Sequence, residues 1–199
     1  MKLLITGFDA FGIDKINPSF QAVQLLPDKI GNIEIIKAVL PTKFIEVKEV
    51  IDKLLKEVKP DYFIAVGQAE GRDHIALEKV AINLMTARII DNAGYQPTDK
   101  PIEADGQTAY FSNLPLNKLL KALKAKDIPS KISYSAGVFV CNTSFYHLMY
   151  LINEKKLDLK AGFIHIPLIP KQLDIRDKIV YTMELAEIVK ALKIVINNL

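Results

Sequence analysis

At 199 residues the chain has room for one domain with a substantial core, spanning 1–199, and not for two of ordinary size without a visible linker. Its composition, 50% hydrophobic and 25% charged, is that of a globular protein rather than a disordered or membrane-embedded one. A net charge of +3, with 26 Lys and Arg mixed evenly among 23 acids, excludes an electrostatic nucleic-acid footprint, and no apolar run approaches the ~18 residues that cross a bilayer.

The chain opens on Lys2-Leu3-Leu4-Ile5-Thr6, an apolar run that stops at Gly7, too short for a signal-peptide core and read as a first strand. A cytoplasmic location is expected. Asn17-Pro18-Ser19 then starts a helix that ends near Pro27, because Asn is a favoured cap and Pro is tolerated in the first turn. Ile33 to Leu40 is a second buried strand, and Phe44, Val47, Ile51, Leu54, Leu55 and Val58 fall at helical steps of three and four. Tyr62 to Val66 is a third strand, and His74 to Asn83 alternates well enough to be a fourth. From Asp91 to Gly106 the chain is rich in turn formers and long for a connection, as lids or subunit contacts often are. Helices follow at Leu116 to Ala125, Asn142 to Lys155 and Thr182 to Asn197, with strands at Ile132 to Ser135 and Gly162 to Ile166. Strands alternating with helices predict a single-domain three-layer α/β/α sandwich around a mixed, mostly parallel sheet.

Chemistry in this chain has few carriers. One cysteine rules out an internal disulfide and a multi-thiolate metal site, and the 3 histidines lack ligand spacing, so no metal is expected. Cys141 stands where a strand and a Gly-containing turn lead into a helix. There the free N–H groups of a helix start favour an anion, which predicts a lowered thiol pKa and donors for an oxyanion. A buried, inert thiol is the competing reading. His165, at the end of a late strand, is either a base within reach of that thiol or a satisfied core histidine. Glu78, in an apolar strand, is either the paired acid behind an imidazole or an outward-facing side chain. His147 reads as a mid-helix surface or packing residue, and His74 as opening a strand far from the crevice. The loop Gly67-Gln68-Ala69-Glu70-Gly71-Arg72 should line the crevice at the carboxyl ends of the strands. Phe8 and Phe11, off the end of the first strand, either wall a ring pocket or plug the core.

Five blocks in order resemble the pyroglutamyl peptidase type I family of cysteine peptidases. They are Gly7-Phe8-Asp9-Ala10-Phe11-Gly12 with Asn17-Pro18-Ser19, Gly67 to Arg72, Glu78-Lys79-Val80-Ala81-Ile82-Asn83, Ser135 to Asn142, and Phe163-Ile164-His165-Ile166-Pro167. The resemblance implies a triad of Cys141 as nucleophile, His165 as base and acid, and Glu78 orienting the imidazole. It further implies a pyroglutamyl ring held between Phe8 and Phe139 with Phe11 nearby, the backbone around Gln68 on the lactam amide, no cofactor, peptides with an N-terminal pyroglutamate as substrates, and a homotetramer. Ala10 stands where the family usually has Pro, and Glu70 where Gly is common.

Overall fold

The computed structural model describes residues 1–176 and 180–199. In chain order it comprises β1 (Lys2–Phe8), α1 (Pro18–Gln24), β2 (Lys29–Ile30), β3 (Ile33–Leu40), α2 (Glu46–Val58), β4 (Tyr62–Gln68), β5 (Ile75–Glu78), β6 (Val80–Ile82), β7 (Ala109–Phe111), α3 (Leu116–Lys124), β8 (Ser130–Ser133), α4 (Val140–Glu154), β9 (Lys160–Ile166), a 3-10 turn (Pro170–Ile175) and α5 (Leu185–Ile196). The main sheet runs β2-β3-β1-β4-β9-β5-β8. Strands β3, β1, β4 and β9 are mutually parallel, whereas β5 runs against β9 and carries β8 with it. The sheet is mixed and mostly parallel, and helices cover both faces.

Alternation along the strands sorts the core into two halves. Leu3, Ile5, Ile64, Val66, Ile75, Leu77, Ile164 and Ile166 pack with the apolar sides of α1, α3 and α5. Leu4, Phe8, Phe63, Ala65, Ala161 and Phe163 pack with α2 and α4 and with the small β6–β7 ribbon. Because α4 lies between the sheet, α2 and that ribbon, it is buried almost all round, from Val140 to Ile152. Asn17 caps α1 as its type predicts, accepting the Ser19 N–H at 3.0 Å. A Cβ on Gly7 would collide with the backbone of Ser19 and Phe20, so the close packing of α1 on β1 requires glycine there.

Several expectations change. The single strand expected over His74 to Asn83 is two strands in two sheets, and Lys79 is the hinge between them. Its N–H bonds Ser133 O of the main sheet at 2.7 Å while its carbonyl accepts from Ser112 of the ribbon side at 3.0 Å. The strand expected at Ile132 to Ser135 lies two residues earlier, and α4 begins at Val140 rather than Asn142. The long stretch from Asp91 to Gly106 is irregular but pinned. The Asp91 carboxylate accepts N–H bonds from Phe44, Ala93 and Tyr95 at 2.8–2.9 Å, and Asn83 Oδ1 accepts from Ile102 and Glu103 at 2.7 and 3.0 Å.

Candidate active site

Glu78 ends β5 with its side chain fully buried. Leaving an ionised carboxylate there costs several kcal/mol unless partners compensate, and two are present. His165 Nδ1 lies 2.8 Å from Oε1 and an Arg72 guanidinium nitrogen 3.1 Å from the same oxygen. Among the described residues Oε2 has no hydrogen-bond partner. His165 sits near the carboxyl end of β9, opposite Gly67 of β4 on one side and Ala76 of β5 on the other. It shares a sheet face with Phe163, two residues earlier, and the two rings lie 4.7 Å apart.

Cys141 is the second residue of α4. That helix start is fixed by Asn142, whose amide accepts from Ile82 N at 3.1 Å and donates to Ile82 O and Leu84 O at 2.9 Å each. The sulfur rests on bare backbone: a Cβ on Gly67 would lie 3.0 Å from Sγ and 2.8 Å from Phe163 Cζ. Gly67 is also the register partner of His165. The thiol, the imidazole and the carboxylate are therefore gathered on one sheet face, around the carboxyl end of β4 and β9.

The predicted low thiol pKa does not hold in this arrangement. Burial first, and then the negative charge of Glu78, push the Cys141 thiol up to about 12. The backbone N–H at the helix start and the Arg72 cation pull the other way and are outweighed. A helix terminus favours an anion by ~1 kcal/mol, less than desolvation of a buried thiolate takes away.

Phe8, Phe44, Phe139 and Phe163 share one packed cluster with Cys141. Phe8 packs on Phe163 with centroids 6.1 Å apart, Phe11 on Phe139 at 5.9 Å, and Phe44 stands edge-on to Phe139 at 5.0 Å. Phe8 is buried, whereas Phe11 and Phe139 are half-buried. The loop carrying Phe8 and Phe11 is held by Ser19 Oγ, which accepts the Phe8 N–H at 2.9 Å, and by Asp9, whose carboxylate accepts from Thr42 N at 2.7 Å.

The Gln68 side chain is engaged at both ends, donating to Asp14 at 3.0 Å and accepting from Gln172 at 3.1 Å. Arg176 grips Asp14 with two nitrogens, at 3.0 and 2.8 Å, and reaches Glu70 at 3.2 Å. Glu70 thus enters an ion-pair network that ties together the loops after β1, β4 and β9.

Phe163, Phe44 and Gly67 belong to this site without having been singled out in the sequence. Phe163 had a signal, since it lies two residues before His165 and must share its face. Gly67 was quoted only as part of a loop, and nothing local marks it as the floor under a sulfur. His74 is displaced from its expected position: β5 runs against β9, so its first end lies at the crevice side of the sheet rather than far from it. His147 is buried, with Glu103 at 2.6 Å and Asp52 at 3.1 Å on its two ring nitrogens. Among the described residues no group of three His, Cys, Asp or Glu side chains is arranged to hold a metal, and no helix is long and apolar enough to cross a membrane.

The family model described as pyroglutamyl peptidase matches residues 1–199. A pyrrolidone-carboxylate peptidase of Thermosipho africanus is 49% identical over 192 residues, covering 96% of this chain and 93% of that protein. One from Enterococcus faecalis is 50% identical over 172 residues, 86% of this chain and 81% of the relative. Among solved structures, pyroglutamyl peptidase I of Bacillus amyloliquefaciens superposes with a TM-score of 0.95 at 42% identity, covering 99% of this chain and 95% of the other. A mutant pyrrolidone carboxyl peptidase of Pyrococcus furiosus gives 0.95 at 40% identity, with coverage of 99% and 97%. With the whole length matched and relatives near half identity, the chain belongs to the pyroglutamyl peptidase family.

Proposed function

We propose that this protein is a cysteine peptidase that removes an N-terminal pyroglutamyl residue from peptides, with Cys141 as nucleophile, His165 as base and acid, and Glu78 orienting the imidazole. The observation that carries the reading is the gathering of the three side chains on one face, with Glu78 2.8 Å from His165 Nδ1 and the sulfur seated on Gly67, the strand neighbour of His165.

The raised thiol pKa makes the proton path specific. Cys141 does not rest as a free thiolate. Its proton passes to His165 Nε2 as Sγ attacks the substrate carbonyl, and the imidazolium that forms is balanced by Glu78. The first N–H of α4 to bond back along the helix is that of Thr143, to Phe139 O. The N–H groups just before it are aimed from a helix start at the oxyanion. His165 then gives its proton to the leaving amine, a thioester remains on Cys141, and a water deprotonated by His165 releases pyroglutamate and restores the thiol. This sequence requires neither metal nor cofactor.

Phe8, Phe11 and Phe139 offer apolar walls for a flat lactam. Because both ends of the Gln68 side chain are engaged, its contribution to the lactam is through the backbone. A proline ring lacks the lactam carbonyl and would leave buried donors unpaired, a loss that discriminates strongly. We further infer a homotetramer acting in the cytoplasm, as the resemblance to the family suggests. Light scattering at micromolar concentration reads the subunit count, and a monomer would remove that part.

The test is hydrolysis of pyroglutamyl, prolyl and glutaminyl amides of a fluorophore. Only the first should be cleaved, and Cys141→Ala should lower its rate by at least ~10^4-fold while the protein stays folded. Activity kept in that variant would remove Cys141 as nucleophile.

A further inference from the structure

Arg72 is not among the three residues assigned a chemical role, yet its guanidinium touches one of them directly. One nitrogen lies 3.1 Å from Glu78 Oε1, the oxygen that also holds His165 Nδ1, and 3.0 Å from the carbonyl of Ser135. Ser135 begins the segment that runs through Phe139 into Cys141, so one side chain touches both the carboxylate and the approach to the nucleophile. The ionisable groups facing Glu78 are His165 from β9, Arg72 from the loop between β4 and β5, and Cys141 from α4. Of these only Arg72 carries a permanent positive charge.

We propose that Arg72 is a positioning residue for the reaction: its guanidinium holds the buried Glu78 carboxylate aimed at His165, and its second bond fixes the 135–139 segment that delivers Cys141. The proposal rests on the triad read above. The physical need is direct. A carboxylate with no exposure and one oxygen without a partner depends for its compensation on what meets its other oxygen. A neutral imidazole alone is a weak counterpart, and a guanidinium is a strong one. The same cation lowers the cost of a thiolate at Cys141, partly offsetting Glu78. The terminal guanidinium nitrogen carries two protons, one for the carboxylate and one for the carbonyl. The loop supports the reach: Arg72 N–H closes a turn on Ala69 O at 3.3 Å, across Gly71, whose φ of +85° favours glycine.

The experiment compares wild type, Arg72→Gln and Arg72→Lys, with folding checked by thermal melting. Each is assayed for pyroglutamyl-amide hydrolysis across pH and for the rate at which iodoacetamide alkylates Cys141. In Arg72→Gln, kcat should fall roughly 10- to 100-fold with KM little changed, the size of a lost charge-assisted bond in a dry site. Alkylation should slow at the same time, since the segment that delivers Cys141 is then less firmly held and the cation that favours a thiolate there is gone. Arg72→Lys keeps the charge and should recover most of both rates. A kcat and an alkylation rate in Arg72→Gln equal to wild type would overturn the proposal, as would a change confined to KM. Should Arg72→Gln fail to fold, the lysine variant decides: rates near wild type support the proposal, and a loss of roughly 100-fold in a folded lysine variant overturns it. If wild type does not cleave pyroglutamyl amides, the substrate reading fails, and alkylation still tests Arg72 by itself.

Discussion

His165 and His147 are almost equally hidden, 4% and 5% exposed, and each presents Nδ1 to a carboxylate, Glu78 at 2.8 Å and Glu103 at 2.6 Å. They part at the other nitrogen. His147 Nε2 meets Asp52 at 3.1 Å, Glu103 is also held by Lys48 at 2.7 Å, and the ring stacks on Tyr150. His165 Nε2 has no hydrogen-bond partner among the described residues, and the ring shares a sheet face with Phe163 and the sulfur. A saturated imidazole clasps α2, α4 and the segment around Glu103, whereas a half-bonded one has a site from which a proton can come and go. Burial and an adjacent acid do not by themselves make a histidine reactive; what sets His165 apart is an uncommitted nitrogen on the sheet face that carries the thiol.

Breaking the comparison on its reactive side gives the largest effects. His165→Ala should cut hydrolysis by ~10^3-fold or more, the range of a lost general acid and base. It should also expose the thiol's own titration. A pKa near 12 means a protonated sulfur across the neutral range, so alkylation of that variant should climb about tenfold per pH unit as pH rises towards 12. In wild type, alkylation near neutral pH should be faster because His165 takes the proton. Equal profiles in the two proteins would remove His165 as the base. Glu78→Gln should cost less, about 10- to 100-fold in kcat, because the ring keeps a neutral partner; an unchanged rate would reduce Glu78 to a packing residue.

On the structural side the readout moves from rate to stability. His147→Leu leaves Asp52 and Glu103 without the group between them and should lower stability by about 3 kcal/mol, or ~6–12 °C in melting temperature. Its kcat at low temperature should match wild type, and a selective loss of rate would blur the contrast with His165. Smallest of all is Glu70→Gln. Glu70 is the most exposed member of the Arg176 network, with 42% of its side chain accessible, and Asp14 holds Arg176 without it, so about 0.5 kcal/mol is expected. A larger loss would show that Glu70 anchors the crevice loops.

Much of this was legible in the sequence. Buried strands gave themselves away as short apolar runs, and the α1 cap and the α2 stripe were correctly placed because their signals are local. Glu78 was marked by being a charge in an apolar strand. What stayed hidden was set by long-range pairing. The reversal of β5 and β8 leaves no trace in periodicity, so His74 was assigned to the wrong edge. Nor does periodicity reveal that a strand changes sheets at Lys79. The thiol's pKa was misjudged because helix polarity is visible in sequence order, whereas the depth of burial and the nearness of Glu78 are properties of the assembled core. Phe8 and Phe11, ambiguous between core plug and pocket wall, differ in exposure, Phe8 being buried against Phe163 and Phe11 half-buried against Phe139.

Lys79 hydrogen-bonds the main sheet through its N–H and the ribbon side through its carbonyl, and Glu78 is the residue before it. A two-stranded ribbon is marginal alone, yet here its fraying would load the bond that ends β5. Thermal wear in the ribbon would therefore reach the Glu78 carboxylate through one peptide unit, so inactivation on heating would precede global unfolding by an amount set at Lys79.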